Sequence, residues 1–224
     1  MIIAKSILGR LGNQMFQYAY CKAIKEAVGG SLAFSFDKVY RQKEVGKNPE
    51  GFEDSLRFFN VDENGFTLKQ PRLECNKGLY EIIEANNTVC ISIRRGDFLN
   101  PQYADKFYIC DETYIKRAID KVKQLIDKPV LVFFSDDIKW VKGTIKTDLP
   151  AYYESGNDPV WEKLRLIYSC KHFIISNSTF SWWAQNLSRN TNKIVISLDR
   201  WFNDEKKDTH LISDDFITIP CGKS

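Results

Sequence analysis

The sequence has 224 residues, of which 43% are hydrophobic and 27% are charged, with a formal net charge of +3 at pH 7. These values fit a globular chain of one large or two small domains. The small positive excess does not favour nucleic-acid binding, and no apolar run approaches the roughly 18 residues that a membrane span needs. We expect no signal peptide. The six cysteines are dispersed and form no C-x-x-C pair, so neither a disulfide framework nor a zinc site is predicted. This use of cysteine favours a cytoplasmic location.

The N-terminal part predicts a βαβ start. Residues 2–8 form an apolar strand, a helix follows from about Asn13 to Val28, and residues 31–36 form a second strand. The pattern weakens from Asp37 to about Leu73, apart from a short helix predicted in FEDSLRFF, residues 52–59.

Strands and helices alternate regularly from Gly78 to Leu198, which predicts a doubly wound nucleotide-binding unit. Strands are predicted at 88–93, 129–135, 171–176 and 192–198, and helices at 78–86, about 111–127, about 138–142, 161–170 and 178–188.

The first of three motifs that follow a strand is ISIRRGDF, residues 91–98. The strand delivers Arg94 and Arg95 to its carboxyl end, Gly96 permits a tight turn, and Asp97 can orient a guanidinium. Arginine binds phosphate oxygens through a bidentate fork of N–H donors. The alternative is a surface Arg–Asp pair that only ends a strand.

The second motif is VFFSDD, residues 132–137, which ends an apolar strand in Ser135, Asp136 and Asp137. A carboxylate here could bind a base N–H or a ribose hydroxyl. Alternatively, Asp136 or Asp137 caps the next helix and stabilises it by up to ~1 kcal/mol. A metal site is a third interpretation, although the D-D spacing is not D-x-D.

The third motif is ISNSTFSWWAQNL, residues 175–187, in which small hydroxyl residues lie between a strand and a helix. The free N–H groups and the positive dipole end of such a helix bind anions. Ser176, Asn177, Ser178 and Thr179 are also ordinary helix caps, which is the alternative.

The opening motif, GRLGNQ at residues 9–14, does not match G-x-G-x-x-G, so the dinucleotide-binding fingerprint is absent. Its glycines still let the backbone approach a ligand closely. Helix capping would account for Asn13 but not for Arg10.

In chain order, GRLGNQMFQYA, IRRGD, FSDD and SNSTFSWWA resemble the motif set of the α-1,2-fucosyltransferase family, glycosyltransferase family 11. The resemblance implies an α/β, GT-B-like fold of two Rossmann-like parallel-sheet halves. The N-terminal half, residues 1–77, would be a reduced acceptor-side half, and residues 78–224 would bind the donor. The resemblance also implies inverting, metal-independent transfer of L-fucose from GDP-fucose, commonly to a galactose 2-hydroxyl.

The resemblance assigns catalytic roles to Arg94, which would hold the donor diphosphate, to Asp97, and to Asn13 in the first loop. It assigns Asp136 to the guanine or ribose. The other residues that it places at the donor are Arg10, Gly12, Ser92, Arg95, Ser178, Thr179, Phe180 and Ser181.

This chain departs from the family at Ser92, where a histidine is usual, and in the short segment between SFD and TVC. A hydroxyl can hydrogen-bond but cannot stack or carry charge as imidazole does. No general base is apparent. His172 and His210 are interpreted as structural, and Asp97, beside two arginines, would keep its charge and act poorly as a base.

We therefore expect a GDP-fucose-dependent fucosyltransferase of polysaccharide biosynthesis that needs no cofactor or metal ion. Its partners would be GDP-fucose and a galactose-containing glycan, and peripheral contact with the inner membrane is left open. One alternative is a GDP-sugar- or glycan-binding module with weak or no catalysis. Another is an NAD-dependent Rossmann enzyme, which the missing fingerprint disfavours.

Overall fold

The computed structural model describes residues 2–4, 9–34, 59–62, 65–204 and 210–220. Backbone contacts divide the chain into two units. The first comprises Met1–Pro71 and Pro159–Trp161, and the second comprises Arg72–Asp158 and Glu162–Ser224. The assignment of an acceptor role and a donor role to the two parts of the chain stays a prediction.

The first unit contains the expected βαβ arrangement. Strands β1 (Ile2–Ala4) and β2 (Leu32–Phe34) pair in parallel, and helix α1 (Leu11–Val28) connects them. The unit also contains an antiparallel hairpin of β3 (Phe59–Asp62) and β4 (Gly65–Leu68), which the sequence pattern did not predict.

Helix α1 begins at Leu11, two residues before the expected start near Asn13. Its N-cap is Arg10, which has an extended backbone, so the capping alternative for Asn13 is wrong. The turn before it uses a φ of +84° at Gly9, a conformation that glycine adopts without strain. Of the predicted short helix, residues 52–58 lie outside the described residues, and Phe59 belongs to a strand. Its ring packs edge-on against Phe66 at a centroid distance of 5.8 Å.

The second unit is built on a six-stranded parallel sheet with the order β10-β9-β8-β5-β6-β7. Its strands are β5 (Asn87–Ile93), β6 (Pro129–Ser135), β7 (Ala151–Tyr153), β8 (His172–Ile175), β9 (Val195–Leu198) and β10 (Ile217–Ile219). Its helices are α2 (Lys77–Ala85), α3 (Pro101–Ala104), α4 (Glu112–Leu125), α5 (Ile138–Thr144), α6 (Val160–Ser169) and α7 (Thr179–Leu187), and 3₁₀ turns cover Glu74–Asn76 and Gly96–Leu99.

The predicted alternation is confirmed, and its elements agree with the structure to within a few residues at their ends. All seven residues of β6 are buried, as are six of the seven in β5, which is why these strands appear in the sequence as apolar runs. Helix α4 buries one face, and each of its large apolar side chains contributes roughly 1.5–3 kcal/mol. The buried residues of α4 are Tyr114, Ile115, Ala118, Ile119 and Val122.

The strand order creates a switch point between β5 and β8. From β5 the chain moves outward through β6 to β7, and then returns to the other side of β5 to form β8, β9 and β10. In open α/β sheets, ligands bind beyond the carboxyl ends of the strands at such a point. The residues that follow Ile93 and Ile175 are therefore the expected ligand-binding residues of this sheet.

A buried carboxylate fastens the start of this unit to helix α6. The side chain of Glu162 is fully buried. It accepts hydrogen bonds from the backbone N–H of Leu73, from Asn76 and from the hydroxyl of Tyr80, and it pairs with Arg165 at 3.2 Å. Burial, and then the Glu162 carboxylate, raise the pKa of the Tyr80 hydroxyl. These partners compensate the Glu162 carboxylate for its loss of contact with water.

His172 opens strand β8 at the amino edge of the sheet. Its Nδ1 accepts a hydrogen bond of 3.1 Å from the backbone N–H of Ile194, which requires that nitrogen to be unprotonated. Burial, and then the charge of Lys171, lower the pKa of His172 from 6.5. These contacts agree with its interpretation as a structural residue.

This lowered pKa predicts a pH-dependent contribution to stability. Because folding disfavours protonation of His172, its contribution is present above about pH 6.5 and is lost as the pH falls through the lowered value in the folded state. We expect the difference in unfolding free energy between the wild type and His172→Gln to shrink in urea titrations as the pH falls. His210→Gln, at the other histidine of the chain, is the control. A difference for His172→Gln that stays constant with pH would contradict this assignment.

Candidate active site

The switch point brings two of the predicted motifs together. Strand β5 ends at Ile93 and β8 ends at Ile175, and the backbone N–H of Ser176 donates to the carbonyl of Ser92 at 3.1 Å. Arg94 and the turn that leads into α7 therefore follow adjacent strands at the same edge of the sheet.

Arg94 is held by two carboxylates from different segments. Its Nη2 pairs with Asp97 in the turn after β5, and its Nη1 lies 2.5 Å from Oδ2 of Asp136, which follows β6. The other oxygen of Asp136 accepts the backbone N–H of Arg95 at 2.9 Å. Only 19% of the Arg94 side chain is exposed. These contacts fix the plane of the guanidinium while both terminal nitrogens carry further N–H donors.

Gly96 allows this arrangement because the backbone passes very close to Asp136. A Cβ placed on Gly96 would lie 2.4 Å from Oδ2 and 3.1 Å from Cγ of that aspartate. The glycine of the RRGD motif is therefore required for close approach, in addition to its role in a turn.

Arg95 has a separate set of partners. Its guanidinium lies 3.6 Å from the centre of the Trp140 ring, and its Nε is 3.5 Å from Oδ2 of Asp137. The other oxygen of Asp137 accepts the backbone N–H of Trp140 at 3.1 Å and so caps α5. The capping alternative is therefore confirmed for Asp137. It is wrong for Asp136, whose oxygens face Arg94 and Arg95.

Three buried hydroxyls lie between β5, β8 and α7. The hydroxyls of Ser92 and Ser181 are 2.7 Å apart, and that of Ser176 is 3.3 Å from Ser181. Ser92 is 7% exposed, and the other two are each 1% exposed. Ser92 and Ser181 thus bond to each other, and their predicted role in donor binding stays a prediction.

The turn into α7 presents its remaining residues at the surface. Ser178 occupies the N-cap position, although its side chain makes no capping hydrogen bond. Ser178, Thr179 and Phe180 are partly exposed. Beside it, Asn177 is 2% exposed and donates to the carbonyls of Tyr108 and Trp201, which fastens two neighbouring loops to this edge.

The predicted residues of the first loop belong to the other unit. Arg10 is the N-cap of α1, Gly12 is buried and Asn13 is exposed. Sequence reasoning gave no role to Gln14, which is 1% exposed and donates to the carbonyl of Gly9 at 2.8 Å. The roles predicted for Arg10, Gly12 and Asn13 in donor binding stay predictions.

The described residues contain neither a cluster of metal ligands nor a membrane-spanning helix. Within that part of the chain, no group of three or more His, Cys, Asp or Glu side chains could hold a metal ion. None of the helices described is both long and apolar enough to cross a membrane.

Comparison with known proteins identifies the family. Residues 54–215 match the model of glycosyl transferase family 11, so the chain belongs to that family. The resemblance found in the sequence motifs is confirmed.

Curated relatives include two proteins of Escherichia coli. The O-antigen biosynthesis glycosyltransferase WbnK is 34% identical over 171 residues, which cover 73% of this chain and 54% of the relative. An alpha-1,2-colitosyltransferase is 32% identical over 136 residues, 58% of this chain and 46% of the relative. Galactoside alpha-(1,2)-fucosyltransferase 1 of Homo sapiens is 30% identical over 105 residues, which cover 45% of this chain and 28% of the relative. This chain spans about half the length, or less, of these relatives.

Solved structures agree on the fold. NodZ alpha-1,6-fucosyltransferase co-crystallized with GDP superposes with a TM-score of 0.55 at 12% identity, covering 88% of this chain and 94% of that one. The structure of NodZ soaked with GDP-fucose superposes with a TM-score of 0.52 at 13% identity, and it also covers 88% of this chain and 94% of that one. The expectation of an α/β, GT-B-like fold is confirmed.

The close approach at Gly96 predicts the effect of adding one methyl group. Gly96→Ala must displace Asp136 from Arg94 or from the Arg95 N–H, and such overpacking costs about 1–3 kcal/mol of unfolding free energy. Denaturant unfolding measures this loss, and a crystal structure of the variant shows which contact breaks.

Gly78→Ala in α2 is the matched control, because nothing lies within 4 Å of its added Cβ. Equal stabilities for the two variants would contradict the proposed fit between Gly96 and Asp136.

Proposed function

We propose that this chain transfers L-fucose from GDP-fucose to a hydroxyl of a glycan, with inversion at the anomeric carbon. The expected acceptor is the 2-hydroxyl of a galactose residue. The observation that carries the proposal is the arginine that two carboxylates hold at the switch point, at the sheet edge where the partly exposed turn into α7 follows the adjacent strand. Membership of family 11, and relatives named for fucosyl and colitosyl transfer, support it.

In the proposed reaction, the acceptor hydroxyl attacks the anomeric carbon from the face opposite GDP. The bond from that carbon to the acceptor oxygen forms as its bond to the diphosphate oxygen breaks, and negative charge builds on the departing GDP. Arg94 and the first N–H groups of α7 would stabilise that charge, as preorganised donors do in other enzymes. The acceptor proton passes to solvent water rather than to Asp97, because Asp97 is already paired with Arg94.

We further propose that the diphosphate is held without a divalent cation. The aspartates that could serve as ligands already have partners in the protein. Asp136 faces Arg94 and the backbone of Arg95, and Asp137 caps α5 and faces Arg95. A cation at this edge would have to displace those contacts.

A second candidate function is a module that binds GDP-sugar without turnover. The observation that favours it is Ser92, which replaces the usual histidine of the family and is buried against Ser181. This hydroxyl already has a partner and carries no charge, so it cannot replace the imidazole.

A donor screen tests the proposed function. The protein is incubated with GDP-fucose, GDP-colitose, GDP-mannose and UDP-galactose together with a panel of β-galactosides, with and without EDTA, and products are detected by mass. We expect a fucosylated product in the presence of EDTA. Calorimetric binding of GDP without any product would instead support the binding module, and a product that forms only with added Mg²⁺ would contradict the metal-independent proposal.

Substitutions at Arg94 test its role in the reaction. Arg94→Ala removes the proposed ligand of the diphosphate and should lower kcat/KM roughly 10²–10³-fold. Arg94→Lys should restore little of the lost kcat/KM, because an ammonium lacks the planar fork and cannot bind both carboxylates in the same geometry. Arg189→Ala, at an exposed arginine beyond α7, is the control. Transfer by Arg94→Ala at the wild-type rate would refute the assignment.

A further inference from the structure

Four aromatic side chains form a partly exposed cluster, here called the aromatic platform, at the same sheet edge as Arg94. Phe98 and Phe107 stack in parallel with ring centroids 4.5 Å apart and an interplanar angle of 5°. Phe202 lies 5.2 Å from Phe107, and Tyr103 lies 6.5 Å from it. The platform therefore joins the segment after β5 to the segment after β9.

The platform is held in place by backbone contacts. Phe107 and Phe202 form an antiparallel bridge, and the N–H of Asn203 donates to the carbonyl of Lys106 at 3.0 Å. The buried amide of Asn177 donates to the carbonyl of Tyr108 at 3.1 Å and to that of Trp201 at 2.8 Å. Both segments that carry the rings are thus fastened to the end of β8.

The four rings differ from the aromatic residues of the core. Phe133 and Phe173 are 0% and 1% exposed, respectively, whereas all four rings of the platform are partly exposed. A fixed group of aromatic rings that remains open to solvent beside an arginine is typical of a ligand site, where aromatic surface supplies contact area and a few polar groups set orientation.

The position of the platform matches the sugar end of a nucleotide sugar. The centre of the Phe98 ring lies 5.9 Å from the guanidinium carbon of Arg94, the proposed ligand of the diphosphate. Asp136 follows β6, on one side of β5, whereas Phe202 follows β9, two strands away on the other side. Strands are about 4.8 Å apart, so a donor with its nucleoside near β6 and its diphosphate at Arg94 would extend its sugar toward the platform.

We propose that the aromatic platform binds a pyranose ring, which packs its C–H face against the partly exposed aromatic surface that these rings form. This inference rests on the proposed function and adds a sugar subsite to it. The electron-rich face of an aromatic ring attracts the slightly positive C–H groups of such a sugar. The ring could be the transferred sugar of the donor or the terminal sugar of the acceptor, and the test separates these two sources.

The test uses Phe98→Leu and Phe202→Leu, which keep apolar volume and remove the aromatic face. Phe98→Tyr keeps the aromatic face and is the conservative variant, which should retain more sugar binding than Phe98→Leu. Phe216→Leu is the matched control, because this partly exposed phenylalanine precedes β10 and so lies at the amino ends of the strands, away from Arg94. Thermal unfolding establishes that each variant is folded. Calorimetry with GDP and with GDP-fucose, and the KM for a β-galactoside acceptor, are then measured.

If the platform binds the transferred sugar, both leucine variants should weaken GDP-fucose binding roughly three- to tenfold and leave GDP binding unchanged. If it binds the acceptor, the acceptor KM should rise by the same factor while both donor affinities stay constant. Wild-type values for GDP-fucose affinity and acceptor KM in both leucine variants would overturn the proposal.

A wild type that binds no GDP would refute the proposed function separately from the platform. In that case, saturation-transfer NMR with L-fucose and with methyl β-galactoside on the wild type and Phe98→Leu decides the inference. A signal that the substitution removes supports a sugar subsite, and the absence of a wild-type signal overturns it.

Discussion

The ion pairs of Arg94 with Asp97 and Asp136 determine what the switch-point edge of the sheet offers to a ligand. Because Asp136 follows β6 and Arg94 follows β5, this contact also joins the ends of two strands. The two arginines and the three aspartates of the RRGD and SDD segments together carry one net negative charge, so positive charge alone would not attract a diphosphate there. In our proposal, the affinity comes from N–H donors held in fixed directions, which is why geometry at Arg94 matters more than charge.

A second contact holds the start of helix α7 against the end of strand β5. The hydroxyls of Ser92 and Ser181 meet at 2.7 Å, which is possible only because both side chains are small and α7 lies close to β5. An imidazole at position 92 would need more space between the strand and the helix. The serine therefore alters packing as well as hydrogen bonding where α7 lies against β5.

Much of the second unit could be predicted because its evidence is local. Buried parallel strands such as β6 are unbroken apolar runs, and the cap at Asp137 depends on a residue three positions away. Contacts between distant residues could not be predicted, such as that of Asp136 with the backbone of Arg95, 41 residues apart, or the contact of Glu162 with Leu73. The rings of the platform are likewise scattered along the sequence, and short strands such as β10 carry too little pattern to detect.

A crystal structure of the protein with GDP tests the central claim most directly. We expect the phosphates to contact the guanidinium of Arg94 and the N–H groups at Ser178–Ser181, while Asp97 and Asp136 still hold the arginine. Phosphates located away from Arg94 and from the Ser178–Ser181 turn, or bound through a magnesium ion held by Asp136 and Asp137, would contradict the proposed role of Arg94.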